Sequence, residues 1–537
     1  MRGLVQWRSG IAPALLVMAL AALALGVAMA GAAPPVAVWQ PSFTGSTEAT
    51  SYPVIPPGPA TVLPDFVGSA VAAQPLPDAG VPQDPYLGKN PYGYLHDDSW
   101  NSDTSSGPGP LGHDPETISS TLGVPPVLQW ASSISSFGFD SHGRLIVAFL
   151  QDGLVTGASV LLVDPVSLDV LYRYPFGASA IWSIYFYVDD QDRVVMATGP
   201  RSISTLREGG TETAPTLELV PERSYDLSQV IPEGDRLAGL LPDWSGRILF
   251  ETAGVGEATG PRVGVIDPAT WPHVEWVELG KGEYMANGMA VTKTASYAIT
   301  SKALYKLVVG DDGRPRVVWR AGYDHSVDKS QLGQLCVGSG TSPTILGGGK
   351  YVTINDSATP MKVLVFRTAT KLKPGQRRLI GSIPVFADMA GQAAANSLLG
   401  YRDSMVIQNS YGHSDVYDKD GFLRSTDSLP GLERIDIKPG GKGLRKVWVN
   451  DEVTSVNLPK LSTQTGLIYV IDRQDDEAGV DVYYWTAVDF RTGKVVWRKM
   501  AGRGVAWDSY FAPSSLGPTG TFYNGNYGGL AAVRDGE

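Results

Sequence analysis

The stretch "YYWTAVDFRTGKVVWRKMAG" (483–502) consists of two strand-like halves joined at Thr492-Gly493-Lys494. Both halves are rich in aromatic and β-branched residues, which suit a pleated, half-buried surface. Gly493 can take the positive φ of a tight turn, and Asp489 is placed to accept hydrogen bonds from the turn backbone. The stretch therefore predicts an antiparallel strand pair hinged at Gly493. A single pair is compatible with many folds, so its recurrence decides the architecture.

A turn followed by a β-branched or aromatic run returns along the chain. It reads "FDSHGRLIVAF" (139–149), "VDDQDRVVMAT" (188–198), "PDWSGRILFET" (242–252) and "VTKTASYAITS" (291–301). It continues as "LGGGKYVTIND" (346–356), "LGYRDSMVIQN" (399–409), "STQTGLIYVID" (462–472) and "LGPTGTFYNGN" (516–526). A strand-bearing period of about fifty residues marks a β-propeller with one blade per repeat. A further strand often follows and ends in Asp, as in "VLLVDPVSLDVLYRY" (160–174) and "VGVIDPATWPHVEWVEL" (263–279). Each blade is thus an inner strand, a glycine-turn strand, an Asp-ending strand and an outer strand that carries Trp in the best-formed copy. The eight copies predict an all-β fold: an eight-bladed β-propeller of four-stranded antiparallel blades over 125–537, with very little helix. The last copy, "TFYNGNYGGLAAVRDGE" (521–537), lacks a fourth strand. The segment "PPVLQW" (125–130) is expected to supply it and close the ring, which would remove the exposed edges.

The spacing Ala487-x-Asp489-x-x-Thr492-Gly493-Lys494-x-x-Trp497 resembles the repeat of the pyrroloquinoline-quinone (PQQ) alcohol dehydrogenases, and "NGNYGGLAAVRDG" (524–536) is similar to a closing strand of that superfamily. The resemblance covers the propeller in architecture and one blade in full motif. It implies an eight-bladed propeller, a PQQ cofactor near a calcium ion held by acidic and amide side chains, and an Asp as base. Several members also stack an adjacent-cysteine disulfide on the quinone. Cys336 is the single cysteine here, so that feature is absent. No Glu-Asn-Asp ligand set can be assigned by motif. The superfamily also contains non-catalytic members that bind protein partners.

Composition narrows the partners. With 54 acidic and 43 basic residues the net charge is −11, and an acidic surface without a basic cluster argues against nucleic acid. The 62 Gly and 39 Pro suit short strands joined by turns. One cysteine leaves no internal disulfide, so stability must come from the core, with Cys336 read as a small buried hydrophobe. Arg2 and Arg8 precede an apolar run at 11–33 that ends in small-x-small cleavage sites. That layout predicts a signal peptide at 1–32 and a secreted, periplasmic or cell-surface protein, an uncleaved membrane anchor being the alternative. Residues 33–124 read as a Pro/Gly-rich extended arm, of which 90–116 is expected to fold over one mouth of the channel. A monomer is expected.

Three constellations carry possible chemistry. "NPYGYLHDDSWNSDTSSGPGPLGHDPE" (90–116) places His96, Asp97, Asp98 and Asn101 among aromatic residues. His and carboxylates this dense suit a general base or a cation, while the alternative is Asp and Asn capping turns. The glycine-turn strands carry Asn355 and Asp356, then Asn409 with Tyr411 and His413, then Asn524 and Asn526. Such amides suit calcium or a polar ligand, or else simply tolerate a left-handed turn. His96 and Asp97 are expected to meet Asn355, Asn409, His413 and Asn526 near the axis. "DRQDDEAGVD" (472–481) lacks the alternation of an EF-hand loop and reads as a solvated loop. No G-x-S-x-G, H-E-x-x-H or Walker motif is present. Three readings stay open: a secreted propeller binding a small polar ligand, metal or protein partner at the channel mouth; a calcium-dependent hydrolase of the lactonase or esterase type; and a divergent PQQ-like oxidoreductase.

Overall fold

Eight small, mostly antiparallel four-stranded sheets stand in a ring around a central axis, and helix is limited to three single 3₁₀ turns among the described residues. A computed structural model describes residues 63–536 except 124–131, 153–157, 178–184, 326–332, 335–336, 357, 414, 418–422, 426–427, 456, 476–480 and 510–512. The expected signal segment, Cys336 and "PPVLQW" therefore lie outside the described residues. Among these residues no helix is long and apolar enough to cross a membrane.

Blades are numbered here in chain order. Blade 7 contains the stretch with which the sequence was read: Lys460–Ser462, Leu467–Asp475, Asp481–Asp489 and Val495–Arg503, from axis to rim. Its hinge behaves as the residues dictate. Gly493 has φ +74°, and Asp489 Oδ1 accepts from Thr492 N (2.7 Å) and Thr492 Oγ1 (2.8 Å). Blades 1 to 3 use a second device at the inner hairpin. Asp140, Asp189 and Asp243 each accept the backbone N–H groups two and four residues on. Each also clasps the Arg at i+4 through Nε, at 2.6, 2.7 and 2.7 Å.

The core lies between blades. Strands buried on both faces, such as "ILFET" (248–252) and "SMVIQ" (404–408), need apolar neighbours on two sides. Separate clusters fill the gaps: Phe137, Phe139 and Tyr523 join blades 1 and 8, while Trp448, Val470 and Phe490 join blades 6 and 7. Trp485, Trp497, Phe522 and Val533 join blades 7 and 8.

The seam differs from the expectation. The outer strand of blade 8 is Glu116–Ser120, antiparallel to Gly529–Arg534 with Ile118 opposite Ala532. A strand from before blade 1 does close the ring, but it lies several residues ahead of 125–130. The acidic segment 472–481 is also not simply a solvated loop. Asp472 is fully buried and paired with Arg498 (2.8 Å), and Asp481 is buried and paired with Arg473.

The segment before the ring is part of the structure. Phe66–Gly68 adds a strand outside blade 7, opposite Trp497–Lys499. The chain then crosses blades 7 and 6, where Leu76 N donates to Thr463 O (2.7 Å) and Tyr401 Oη to Pro77 O (2.6 Å). It passes inward at blade 2, with Gly88 N donating to Val188 O (2.9 Å). It leaves at the other side, where the Asp535 carboxylate accepts from Leu111, Gly112 and His113 N–H.

Candidate functional site

Between Gly93 and Gly107 the arm runs inside the ring. The innermost strand of a blade has a free edge toward the axis, and buried amides there need acceptors. The arm supplies carbonyls in blade order. Val188 N donates to Gly93 O (2.6 Å), Val291 N to Ser99 O (2.6 Å), Ile345 N to Trp100 O (3.0 Å), Gly400 N to Ser102 O (2.7 Å) and Leu461 N to Asp103 O (3.1 Å). These contacts carry it from blade 2 through blades 4, 5 and 6 to blade 7, where Thr104–Ser105 pair in parallel with Leu461–Ser462. To follow this curve Asp97, Asn101 and Asp103 take φ of 68°, 55° and 53°, a region that Asp and Asn tolerate best after Gly. The density of Asp and Asn in 90–116 thus has a backbone cause.

The side chains of this inner ring are buried; some bond to the wall or within the arm, while Tyr94 Oη, His96 Nε2, Asp97 Oδ1 and Trp100 Nε1 have no hydrogen-bond partner among the described residues. Asn101 Nδ2 donates to Met289 O (3.1 Å) and Pro343 O (3.0 Å). Asp98 caps its own loop through Trp100 N (2.9 Å) and Ser102 Oγ (2.5 Å). His96 Nδ1 faces Asp103 Oδ1 at 3.0 Å. Lys460, on the inner strand of blade 7, places Nζ 3.0 Å from Asp97 and 2.8 Å from Asp103, with all three side chains at 0% exposure. Burial works against the ammonium, yet Asp103 and Asp97 hold Lys460 above the ordinary lysine range. Burial pushes Asp97 up to about 6 despite Lys460, and Asp98 up to about 7.

Beside the arm, apolar side chains pack together among the described residues. Tyr94, Leu95, Tyr185, Met289 and Leu458 belong to one apolar cluster, and Tyr185 Oη reaches Ser342 Oγ at 3.1 Å. Sequence reasoning missed Glu251, on the second strand of blade 3. It is fully buried, and burial pushes its carboxyl well above the usual range. Gly239 makes room for it, since a Cβ there would stand 2.9 Å from Glu251 Oε2. A Glu in the buried run "ILFET" was the available signal. Sequence reasoning also missed Lys460.

The second predicted set lies at the loop end of blades 5, 6 and 8. Asn355 accepts from Ser339 Oγ and Thr341 Oγ1, both at 2.9 Å. His96 and Asp97 are bonded within the arm and to Lys460, and among the described residues no hydrogen bond or ion pair joins them to Asn355, Asn409, His413 or Asn526. The loop end does gather its own set. Asn409 Oδ1 accepts from Ala393 N and Tyr411 N, both at 3.2 Å, and the Tyr411 ring lies against Gly391. His413 Nε2 is 3.5 Å from Asp508, whose backbone carbonyl accepts Tyr527 N (3.1 Å), next to Asn526. Asn524 donates to Gly525 O (2.8 Å). Asn355 and Asn409 brace loops; they do not form a ring of free amides. Gln334, Asn355, Asp356, Met361 and Gln392, with neighbouring alanines, line a narrow cleft between blades 5 and 6.

Metal-like spacing occurs elsewhere. Among the described residues, one group of three His and acidic side chains has ligand atoms within 4.8 Å: Asp140, His142 and Glu208. The Arg144 guanidinium stands among them, with Nε 2.6 Å from Asp140 and Nη2 on Glu208.

Comparison with known proteins gives likeness of fold. No known family's profile matches the chain. An uncharacterised protein of Archaeoglobus fulgidus is 24% identical over 345 residues, covering 58% of this chain; the match spans 63% of that relative's length. Among solved structures, the quinohemoprotein alcohol dehydrogenase of Comamonas testosteroni superposes with TM-score 0.50 at 12% identity, covering 85% of this chain and 81% of that one. BamB of Moraxella catarrhalis superposes with TM-score 0.44 at 13% identity, over 78% and 95% of the two chains. The likeness is one of fold, a β-propeller, and the sequence relation is distant.

Proposed function

We propose that this chain is a secreted binding propeller, closed from within by its own arm, that takes a small polar ligand or a protein partner at the loop end of its channel. The observation that carries the reading is the occupied lumen. A quinone dehydrogenase of this fold must hold a planar tricarboxylate and admit substrate to it. Here the lumen is packed with Tyr94, Leu95, Tyr185, Met289 and Leu458. Its ionisable groups are Asp97, Asp98, Asp103, Glu251, Lys460 and His96. Among the described residues neither a slot nor a cationic set suits PQQ, so these residues do not fit the cofactor, and no redox step is assigned to them. The one calcium-like grouping among the described residues already holds Arg144. The loop end instead offers Asp356, Gln334, Gln392, Tyr411 and the His413–Asp508 pair on loops, where propellers gather binding groups.

Two measurements test this. Purified protein incubated with PQQ and calcium is expected to gain no quinone absorption band and no alcohol-dependent dye reduction; gain of both overturns the reading. Hydrogen exchange with bound ligand is expected to add protection at 333–413 and 505–528, while 93–107 is protected with or without ligand. Export from the cytoplasm rests on the residues at 1–32. Mass spectrometry of the mature N-terminus tests it, and a chain from culture fluid or periplasm still beginning at Met1 would refute cleavage.

A further inference from the structure

The cleft between blades 5 and 6 contains one acid whose hydrogen bonding is incomplete. Asp356 is 1% exposed, and its Oδ1 accepts Lys362 N at 2.7 Å. Its Oδ2 has no hydrogen-bond donor among the described residues. The nearest cation, Lys362 Nζ, stands 3.7 Å away, beyond hydrogen-bond distance, and lies 4.0 Å from Asp324 on its other side. The amides around the cleft are committed elsewhere. Asn355 Nδ2 donates to Asp356 O (3.0 Å), Gln392 Nε2 to Phe386 O (3.1 Å), and Gln392 Oε1 accepts Met361 N (3.1 Å). The remaining walls, Ala358, Met361, Ala393 and Ala394, carry no strong donor in their side chains.

Resting on the binding reading above, we infer that this cleft receives a primary ammonium group on a short alkyl stem, carried by a small amine or by the lysine side chain of a partner. A buried acceptor without a donor is costly, and an ionised one is best met by a charged donor. An ammonium brings three N–H groups and a full charge in a head about the size of a water molecule. Its methylene stem suits the alanine and methionine walls. A divalent cation would need several oxygen ligands, and the cleft presents one unsatisfied carboxylate oxygen. Lys362 is the internal competitor that a guest displaces.

Titration calorimetry with n-butylamine, against n-butanol as uncharged control, tests the assignment. Butylamine is expected to bind one to one and butanol to give no heat. Asp356→Asn is expected to weaken the amine by about tenfold or more, the scale of one charge-assisted hydrogen bond. Lys362→Met is expected to tighten it, which a merely structural role would not do. Affinity should rise as pH passes through about 6, where burial has placed Asp356 between Lys362 and Asp324. Should Asp356→Asn fail to fold, Ala394→Leu fills the cleft and is expected to abolish binding. An acetyl-lysine-amide peptide separates the sources: binding tighter than butylamine points to a protein lysine, and equal or weaker binding to a free amine. Equal binding of butylamine and butanol, or unchanged binding in both cleft variants, overturns the inference. Ligand-induced protection at the loop end without amine binding would leave the broader reading standing and remove this one.

Discussion

Lys460 is fully buried, and its charge is balanced only by the arm. Replacing it with Met leaves Asp97 and Asp103 as uncompensated buried acids, and breaking such a pair costs about 3–5 kcal/mol. Urea denaturation of Lys460→Met should show a loss of that size, while the combined Lys460→Met, Asp97→Asn and Asp103→Asn variant should recover much of it. Trp497 tests the opposite kind of contact. It is fully buried between blades 7 and 8 and faces Gly112 of the arm, so Trp497→Ala should cost about 3–5 kcal/mol as a cavity. Trp497 was legible because its role is local to a repeated motif. Lys460 was not: "NLPKLSTQ" looks like any strand start, and its partners lie some 360 positions earlier in the chain. Pattern reading sees periodicity; it does not see which distant acids a lone lysine will meet.

At the scale of elements, the blades were legible and the seam was displaced. The inner hairpins recur because the same turn chemistry recurs, as Asp140, Asp189 and Asp243 show. "ETISS" (116–120) has two serines, one isoleucine and no aromatic, and it becomes a strand only because Gly529–Arg534 offers a free edge. "PPVLQW" carries the stronger local signal. Context overrode propensity, as it commonly does for edge strands. A chain beginning at residue 122 should therefore aggregate or melt early through the open edge of blade 8. One beginning at residue 108 should keep a closed ring but lose the carbonyls of Ser99, Trp100, Ser102 and Asp103. Thermal melts are expected to rank the full chain above the 108 start, and that above the 122 start. Equal melting of the two truncations would remove the seam assigned to 116–120.

For the whole molecule, buried acids set the response to pH. Burial pushes Asp84 and Asp98 up to about 7, and Asp97 and Asp356 up to about 6, from 3.8. Between those values the folded state binds more protons than the unfolded chain, so stability falls as pH rises through the window. The melting temperature should be higher at pH 5 than at pH 8, and a net charge of −11 acts in the same direction. A rise in melting temperature from pH 5 to pH 8 would mean that these acids are ionised and compensated in the fold.

Joining Glu116–Ser120 to Gly529–Arg534 also has a consequence for how the protein is made. The two halves of that sheet leave the ribosome roughly 400 residues apart, which at ~5–20 residues per second is about 20–80 seconds. Until the last strand emerges, no order of blade formation can finish the circle, and the outermost strand of the final blade waits with its amides unpaired. A nascent chain arrested before Gly529 is consequently the most vulnerable form of this protein. A protease pulse during synthesis should find it sensitive until Gly529–Arg534 has emerged to pair with Glu116–Ser120.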